Sequence, residues 1–86
     1  MRIVVERSAL KHGISEIRIR HAVRVCRQPL ENPGWDGQTI YLAPDQHGNP
    51  LEVIGEIDDD RVLWVVHAMP LRQRYRAVYL EVNGHR

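Results

Sequence analysis

Hydrophobic and polar positions follow two periods along this chain, one typical of short strands and one typical of helices. Arg2–Val5 is rich in β-branched residues, which predicts an edge strand at the start of the chain. Ser15 is a suitable N-cap residue, and the apolar spacing of three and four that follows predicts a helix ending at Gln28-Pro29. The apolar stripe of this helix consists of Ile19, Ala22, Val23 and Cys26.

Three more strands are predicted in the second half of the chain. Strands over 38–43 and 51–57 flank a turn in which Gly48 can adopt positive φ. A third strand over 61–69 is apolar on both faces at 62–66, which is typical of an internal strand. Together these segments predict an antiparallel meander.

Shorter helical signals precede and follow the meander. The segment 8–12 predicts one or two helical turns that stop at Gly13, and Pro70 suits the first turn of a final helix over 71–82. The predicted order is β-α-α-β-β-β-α, in which a small antiparallel sheet has helices at its N-terminal side and one C-terminal helix. We therefore predict an α+β fold, with residues 1–86 forming a single domain.

Composition narrows the class of protein. The chain is 43% hydrophobic, which is enough for a packed core, yet it has no apolar run of the roughly 20 residues that a membrane span needs. Charges at Arg2 and Glu6 come too early for a signal peptide. Cys26 is the only cysteine, so no internal disulfide can form, and we expect a cytoplasmic protein.

The net charge of +1 conceals a segregation of charge along the chain. Residues 1–27 carry seven basic and two acidic side chains, and residues 61–86 carry five basic and one acidic. Residues 28–60 carry eight acidic side chains and no basic one. Eleven of the twelve cations are arginine, either because the genome is GC-rich or because bidentate phosphate contacts favour arginine.

The candidate proton carriers are histidines, and none of the five falls at metal-ligand spacing. The sequence also lacks the nucleotide-binding motifs GxGxxG and GxxxxGK(S/T). We therefore expect neither a metal nor another cofactor. His47 lies in a turn and His85 in the terminal tail, so neither is expected to be catalytic. His67 interrupts the apolar strand, on the face expected to hold Leu63, Val65 and Met69. It is either a buried core histidine beneath a helix or a proton carrier beside a cleft.

Basic residues near element ends are the other candidates. Lys11 and His12 precede Gly13, and they either complement a helix C-terminus or pair a cation with a proton carrier. Three arginines begin the predicted last helix, either as a solvated face or as phosphate contacts: Arg72, Arg74 and Arg76. Arg72 and Arg76 are expected to share a helix face, and Tyr75 is expected to be buried. The acidic residues of the meander are expected to lie on a solvated sheet edge: Glu52, Glu56 and Asp58–Asp60.

Two of these patterns resemble the BrnT-like toxins of bacterial toxin–antitoxin pairs. Lys11-His12-Gly13 stands before a capped helix, and the arginines over 72–76 are followed by Tyr79, as in that family. The chain departs from the family's Ser-Ala-Arg at the end of the last strand, where it has His67-Ala68-Met69. It also has Glu6-Arg7 where the family has Trp-Asp.

The resemblance implies a RelE-like ribonuclease fold and metal-independent cleavage of RNA, in which the 2′-OH attacks the adjacent phosphate. It also implies a small ribbon-helix-helix antitoxin, with which the toxin would bind operator DNA. Placement and elimination suggest His67 as the proton carrier and Arg74 as the residue that holds the phosphate. Lys11 or His12 would be the second donor of a proton or of positive charge. RNA contacts are expected from Arg72, Arg76 and Arg18. The alternative is a non-catalytic module that binds protein or nucleic acid, such as a decayed toxin retained for its partner.

Overall fold

Five strands form one mixed sheet in the order β1-β5-β4-β3-β2 in the computed structural model, which describes residues 1–84. The strands are β1 (Arg2–Val5), β2 (Leu30–Glu31), β3 (Gln38–Pro44), β4 (Pro50–Ile57) and β5 (Val62–Pro70), and the helices are α1 (Glu16–Val25) and α2 (Arg76–Asn83). Two single 3-10 turns, at Arg7–Leu10 and Gln73–Tyr75, complete the part of the chain that is described. The α+β class and the β3-β4-β5 meander are confirmed, and His85 lies outside the described residues.

The antiparallel sheet expected from the sequence is wrong in one respect, because β1 pairs parallel to β5. This pairing is possible because the chain between the two strands is long enough to cross the sheet and return. β1 is an edge strand and β5 an internal one, as the sequence predicts. The additional short strand β2 pairs with β3 at the opposite edge, where the sequence pattern predicts no strand.

The helix α1 covers one face of the sheet, which we call the core face. Ser15 accepts a hydrogen bond from the Arg18 amide and so caps α1, as predicted. The buried side chains between α1 and the strands are Ile19, Ala22, Val23, Tyr41, Ala43, Leu51, Val53, Leu63, Val65 and Ala68. α2 contacts β3, and the side chain of Asn83 donates to the Leu42 carbonyl at 2.9 Å.

A bulge in β5 decides which way His67 points. Ile54 pairs with His67 and the next residue, Gly55, pairs with Val65, so Val66 is an additional residue in β5. Because neighbouring residues of β4 face opposite sides, His67 and Val65 also lie on opposite faces. The expectation that His67 shares the face of Leu63 and Val65 is therefore wrong.

The side of β4 and β5 away from α1 is only partly covered, and we call it the open face. It is defined by four residues that are at least partly exposed: Ile54, Glu56, Trp64 and His67. Burial on both sides of the sheet therefore does not explain why β5 is apolar on the open face. Within residues 1–84, no helix is long and apolar enough to span a membrane.

The last helix begins later than the sequence predicts. Pro70 ends β5, and Arg72 has extended backbone with φ −82° and ψ 153° before the 3-10 turn and α2. Arg72 and Arg76 therefore do not share a helix face, which corrects that expectation. Tyr75 is half-buried and lies in the 3-10 turn rather than on a buried helical stripe.

Candidate active site

Two histidines from distant parts of the chain meet at one end of the open face. The ring centroids of His12 and His67 are 5.2 Å apart, and the rings are inclined at 73° in an edge-to-face arrangement. His12 is exposed and His67 is half-buried. Nε2 of His67 also lies 3.1 Å from Sδ of Met69. The structure therefore brings together two groups that can transfer protons near neutral pH.

The first 3-10 turn delivers His12 to this place. Where β1 ends, the Glu6 amide donates to the Val65 carbonyl at 2.9 Å, and the Ser8 hydroxyl donates to the Val66 carbonyl at 2.9 Å. After the last residue pair between β1 and β5, the chain therefore still runs along the edge of β5. Gly13, with φ of +81°, then turns the chain toward α1 and leaves Lys11 and His12 beside His67.

A buried ion pair supports the same corner of the sheet. Glu52 is fully buried, and its carboxylate accepts hydrogen bonds from the backbone amide, Nε and Nη2 of Arg72 at 2.9, 2.9 and 2.7 Å. The Arg72 side chain keeps 42% of its surface exposed, so one end of the guanidinium is held while the residue faces solvent. Nε and Nη2 both donate to Oε2 while the backbone amide donates to Oε1, so the guanidinium and the backbone of Arg72 are both held by the same buried carboxylate.

The expectation that Glu52 lies on a solvated sheet edge is wrong, because its side chain is fully buried. A signal was present, because strand alternation puts Glu52 on the same face as Ile54, between the apolar residues Leu51 and Val53. A carboxylate in an apolar strand of this kind is rarely buried without a cation. The arginine-rich segment at 72–76 offered that cation, although the sequence did not indicate which arginine pairs with it.

His67 is biased toward its neutral form. Burial lowers the pKa of His67, and the nearby positive charges of His12, Arg72 and Lys11 lower it further, while the Glu52 carboxylate opposes them. A neutral imidazole is the form that accepts a proton. His67 is therefore suited to act as a base at neutral pH in a positively charged setting.

Arg74 and Tyr75 lie next to this group. The guanidinium carbon of Arg74 is 4.9 Å from the Tyr75 ring centroid and that of Arg72 is 5.6 Å from it. Nη2 of Arg74 also lies 3.2 Å from the Tyr75 hydroxyl. Tyr75 thus holds two cations close together, and the charge of Arg72 rather than Arg74 acts on His67.

Arg18 and Arg76 are placed elsewhere. Both line a cleft at the end of the sheet that also contains Asn49, Pro50, Leu51, Pro70 and Leu71. Nε of Arg18 donates to the buried Asp45 carboxylate at 2.7 Å. Burial alone would raise the pKa of Asp45, but hydrogen bonds from the Asn49 amide and Arg18 keep that pKa well below its usual range. Arg18 therefore has a structural partner, and neither arginine joins the histidine pair.

Comparison with known proteins identifies no relative, since no family model, curated protein or solved structure matches the chain. Within residues 1–84, no three His, Cys, Asp or Glu side chains are grouped so that they could hold a metal ion together. The site consists of the adjacent imidazoles of His12 and His67, of which His67 is biased toward its neutral form, and the fixed guanidinium of Arg72 beside them. That combination can move protons and stabilise negative charge.

Proposed function

We propose that this chain is a metal-independent endoribonuclease, the toxin component of a bacterial type II toxin–antitoxin pair with a RelE-like fold. The observation that carries the proposal is the contact between His12 and His67, at 5.2 Å, beside the Glu52–Arg72 ion pair. Cleavage of RNA by its own 2′-OH requires a base, an acid and positive charge near the phosphate. The cluster offers one group for each role.

The reaction proceeds by internal transfer at phosphorus. Neutral His67 takes the proton of the 2′-OH as the 2′ oxygen forms its bond to phosphorus. Protonated His12 gives its proton to the 5′ oxygen as the bond from phosphorus to that oxygen breaks. The products are a 2′,3′-cyclic phosphate and a 5′-hydroxyl, with one proton moved from RNA to His67 and one from His12 to RNA. Arg72 and Lys11 stabilise the dianionic phosphorane between these steps.

The roles of the arginines follow from their partners. Nε and Nη2 of Arg72 bind Glu52, which leaves Nη1 outside the ion pair for a phosphate oxygen. Arg74 lies against Tyr75 and is the outer phosphate contact in this scheme. Arg76 and Arg18 border a separate cleft, and there they would meet RNA away from the cut.

The toxin assignment is supported by where the family-like residues lie. Lys11-His12-Gly13 follows a short 3-10 turn and precedes the Ser15-capped helix α1, as the resemblance to BrnT-like toxins requires. His67 stands in the segment where that family has Ser-Ala-Arg, and Arg72 supplies an arginine beside it. We propose a ribbon-helix-helix antitoxin as the partner of this toxin.

Incubation of the purified chain with total RNA, with and without EDTA, tests this proposal. We expect RNA to be cut equally in both conditions, with 5′-hydroxyl and 2′,3′-cyclic phosphate ends on the fragments. Uncut RNA would contradict the ribonuclease activity and favour a binding module. Cleavage that EDTA abolishes, or fragments with 5′-phosphate ends, would contradict the mechanism.

A further inference from the structure

The open face carries an exposed tryptophan that the proposed reaction does not use. Trp64 is 38% exposed, on a strand whose other face forms the core. It pairs in register with Glu56 of β4, which is also exposed. Directly paired residues of antiparallel strands have their Cβ atoms about 5 Å apart, so the indole and the carboxylate lie side by side.

The indole is held in place although it is exposed. Its Nε1 donates to Oδ2 of Asp58 at 2.8 Å. Asp58 is itself fixed, because its Oδ1 accepts from the amides of Asp60 and Val62 at 2.9 and 3.0 Å. A tryptophan anchored through its one polar atom loses little freedom when a flat group stacks on it.

The carboxylate beside the indole is an exposed acceptor with a weak partner. Nε2 of Gln38 donates to Oε2 of Glu56 in a long hydrogen bond of 3.3 Å at the surface, which a ligand could replace. An ionised carboxylate accepts through both oxygens and donates nothing. Beside a stacked base it would therefore select a base whose edge presents N–H donors. Guanine presents two neighbouring donors, N1–H and the N2 amino group, in the spacing of the two carboxylate oxygens.

We propose that Trp64 and Glu56 form a subsite for an unpaired guanine of single-stranded RNA, with the base stacked on the indole and its N–H edge bound to the carboxylate. The proposal rests on the proposed ribonuclease function and adds a base preference to it. Duplex RNA is excluded from such a subsite, because its bases are stacked and their Watson–Crick edges are paired.

The distance to the histidines fits a base next to the cut. On β4, Glu56 pairs with Trp64, and Ile54, two residues away, pairs with His67. The Trp64 and His67 positions are therefore about 7 Å apart along the strand. One extended nucleotide spans such a length. Lys11 and Arg72 at the His67 end give the positive charge that the phosphate needs, while the acidic Glu56 and Asp58 face the base rather than the backbone.

Binding of an oligonucleotide that cannot be cut tests the subsite separately from the activity. The probe is a fluorescein-labelled 2′-O-methyl octauridylate with one central guanine, and the reference is the same octamer without guanine. We expect fluorescence anisotropy to show about ten-fold tighter binding of the guanine probe, because uracil also stacks on the indole but does not present two neighbouring N–H donors to the carboxylate. Equal affinity for both octamers would overturn the proposal.

Two variants locate the effect, and a third controls for the loss of a tryptophan. Trp64→Leu is expected to lose about ten-fold in affinity for the guanine probe. Glu56→Gln, an exposed and nearly isosteric change, is expected to bind both octamers equally. Trp35→Leu, at an exposed loop position of 61% exposure, is expected to bind like the unchanged chain. The subsite is disproved if Trp64→Leu, folded by circular dichroism, binds as Trp35→Leu does, or if Glu56→Gln keeps the guanine preference.

The outcomes separate this proposal from the ribonuclease function. If the chain binds guanine selectively but leaves RNA uncut, the subsite is supported and the ribonuclease activity is contradicted. If it cuts RNA but shows no selectivity for guanine, the activity is supported and the subsite is contradicted. An arginine-rich peptide tests whether the surface binds protein instead. If the peptide binds the unchanged chain but not the Trp64→Leu and Glu56→Gln variants, and does not displace the RNA probe, the surface serves a protein partner and the RNA subsite is wrong.

Discussion

The Glu52 carboxylate accepts one hydrogen bond from the backbone amide of Arg72 and two from its guanidinium, at 2.9, 2.9 and 2.7 Å. Because Glu52 is fully buried, its negative charge has to be compensated within the protein. The pair therefore fixes the chain as it leaves β5 and sets the field around His67. The measurable consequence is the titration of His67.

The titration of His67 should depend on Glu52. In the unchanged chain we expect a His67 pKa below the ordinary 6.5, because burial and neighbouring cations disfavour the imidazolium. Glu52→Gln removes the one nearby charge that favours the imidazolium, so the pKa should fall further. NMR titration of the His67 ring protons measures both values, and RNA cleavage should lose activity on the acid side with the same midpoint.

Glu81→Gln is the matched control for this titration. Glu81 is exposed on α2 and is not among the charges that act on His67. The His67 pKa should therefore be unchanged in that variant. A His67 pKa at or above 6.5 in the unchanged chain, or one that does not move in a folded Glu52→Gln variant, would contradict the electrostatic account.

Gly55 should be needed for the bulge that orients His67. A Cβ at this position would lie 2.7 Å from Cδ1 of Leu63 and 2.9 Å from the Trp64 carbonyl oxygen, and the backbone atom cannot move aside cheaply. We expect Gly55→Ala to lower the free energy of unfolding by about 1–3 kcal/mol, as overpacking of a core does. Gly34→Ala is the control, since the nearest atom to its Cβ would be 3.7 Å away. Equal stability of the two variants in urea unfolding would argue against the close approach.

RNA binding should be strongly salt-dependent because phosphate contacts release counterions. Lys11 is exposed beside His67 and has no role in the core. Lys11→Gln should weaken binding of single-stranded RNA and reduce the slope of log K against log salt by about one. The guanine preference should remain, because Lys11 contacts phosphate in this account. An unchanged slope would show that Lys11 lies outside the bound backbone.

The internal position of β5 predicts slow hydrogen exchange. Its residues 62–65 lie between β1 and β4, and Leu63 and Val65 are fully buried. We expect their amides to be among the slowest in the domain and those of the two-residue edge strand β2 to be fast. Fast exchange throughout β5, measured by NMR in D₂O, would contradict the sheet order.

Local patterns predicted much of this fold. The apolar spacing after Ser15 predicts α1, and strand alternation on either side of Gly48 predicts β3 and β4 within a few residues. Each of these signals depends on residues close in sequence. The parallel pairing of β1 with β5 was not predictable in that way, because it joins residues about sixty positions apart.

The orientation of the candidate site depended on long-range contacts. Strand alternation alone places His67 with Val65, and only the bulge opposite Gly55 reverses it. Helical spacing places Arg72 beside Arg76, but the bonds to Glu52 hold Arg72 in extended backbone before the helix begins. In both cases a contact between distant segments overrides the local pattern. The sequence identified His12, His67 and Arg72 as candidates but could not give their arrangement.

The measurement that tests the central claim most directly compares RNA cleavage by three histidine variants in the presence of EDTA. We expect His12→Ala and His67→Ala each to lose about 10²- to 10⁴-fold in rate, as when a general acid or base is removed. His47→Ala, at an exposed turn position, should keep the full rate. Circular dichroism must show all three variants folded. Full activity in folded His12→Ala and His67→Ala variants would contradict the assignment of the histidine pair.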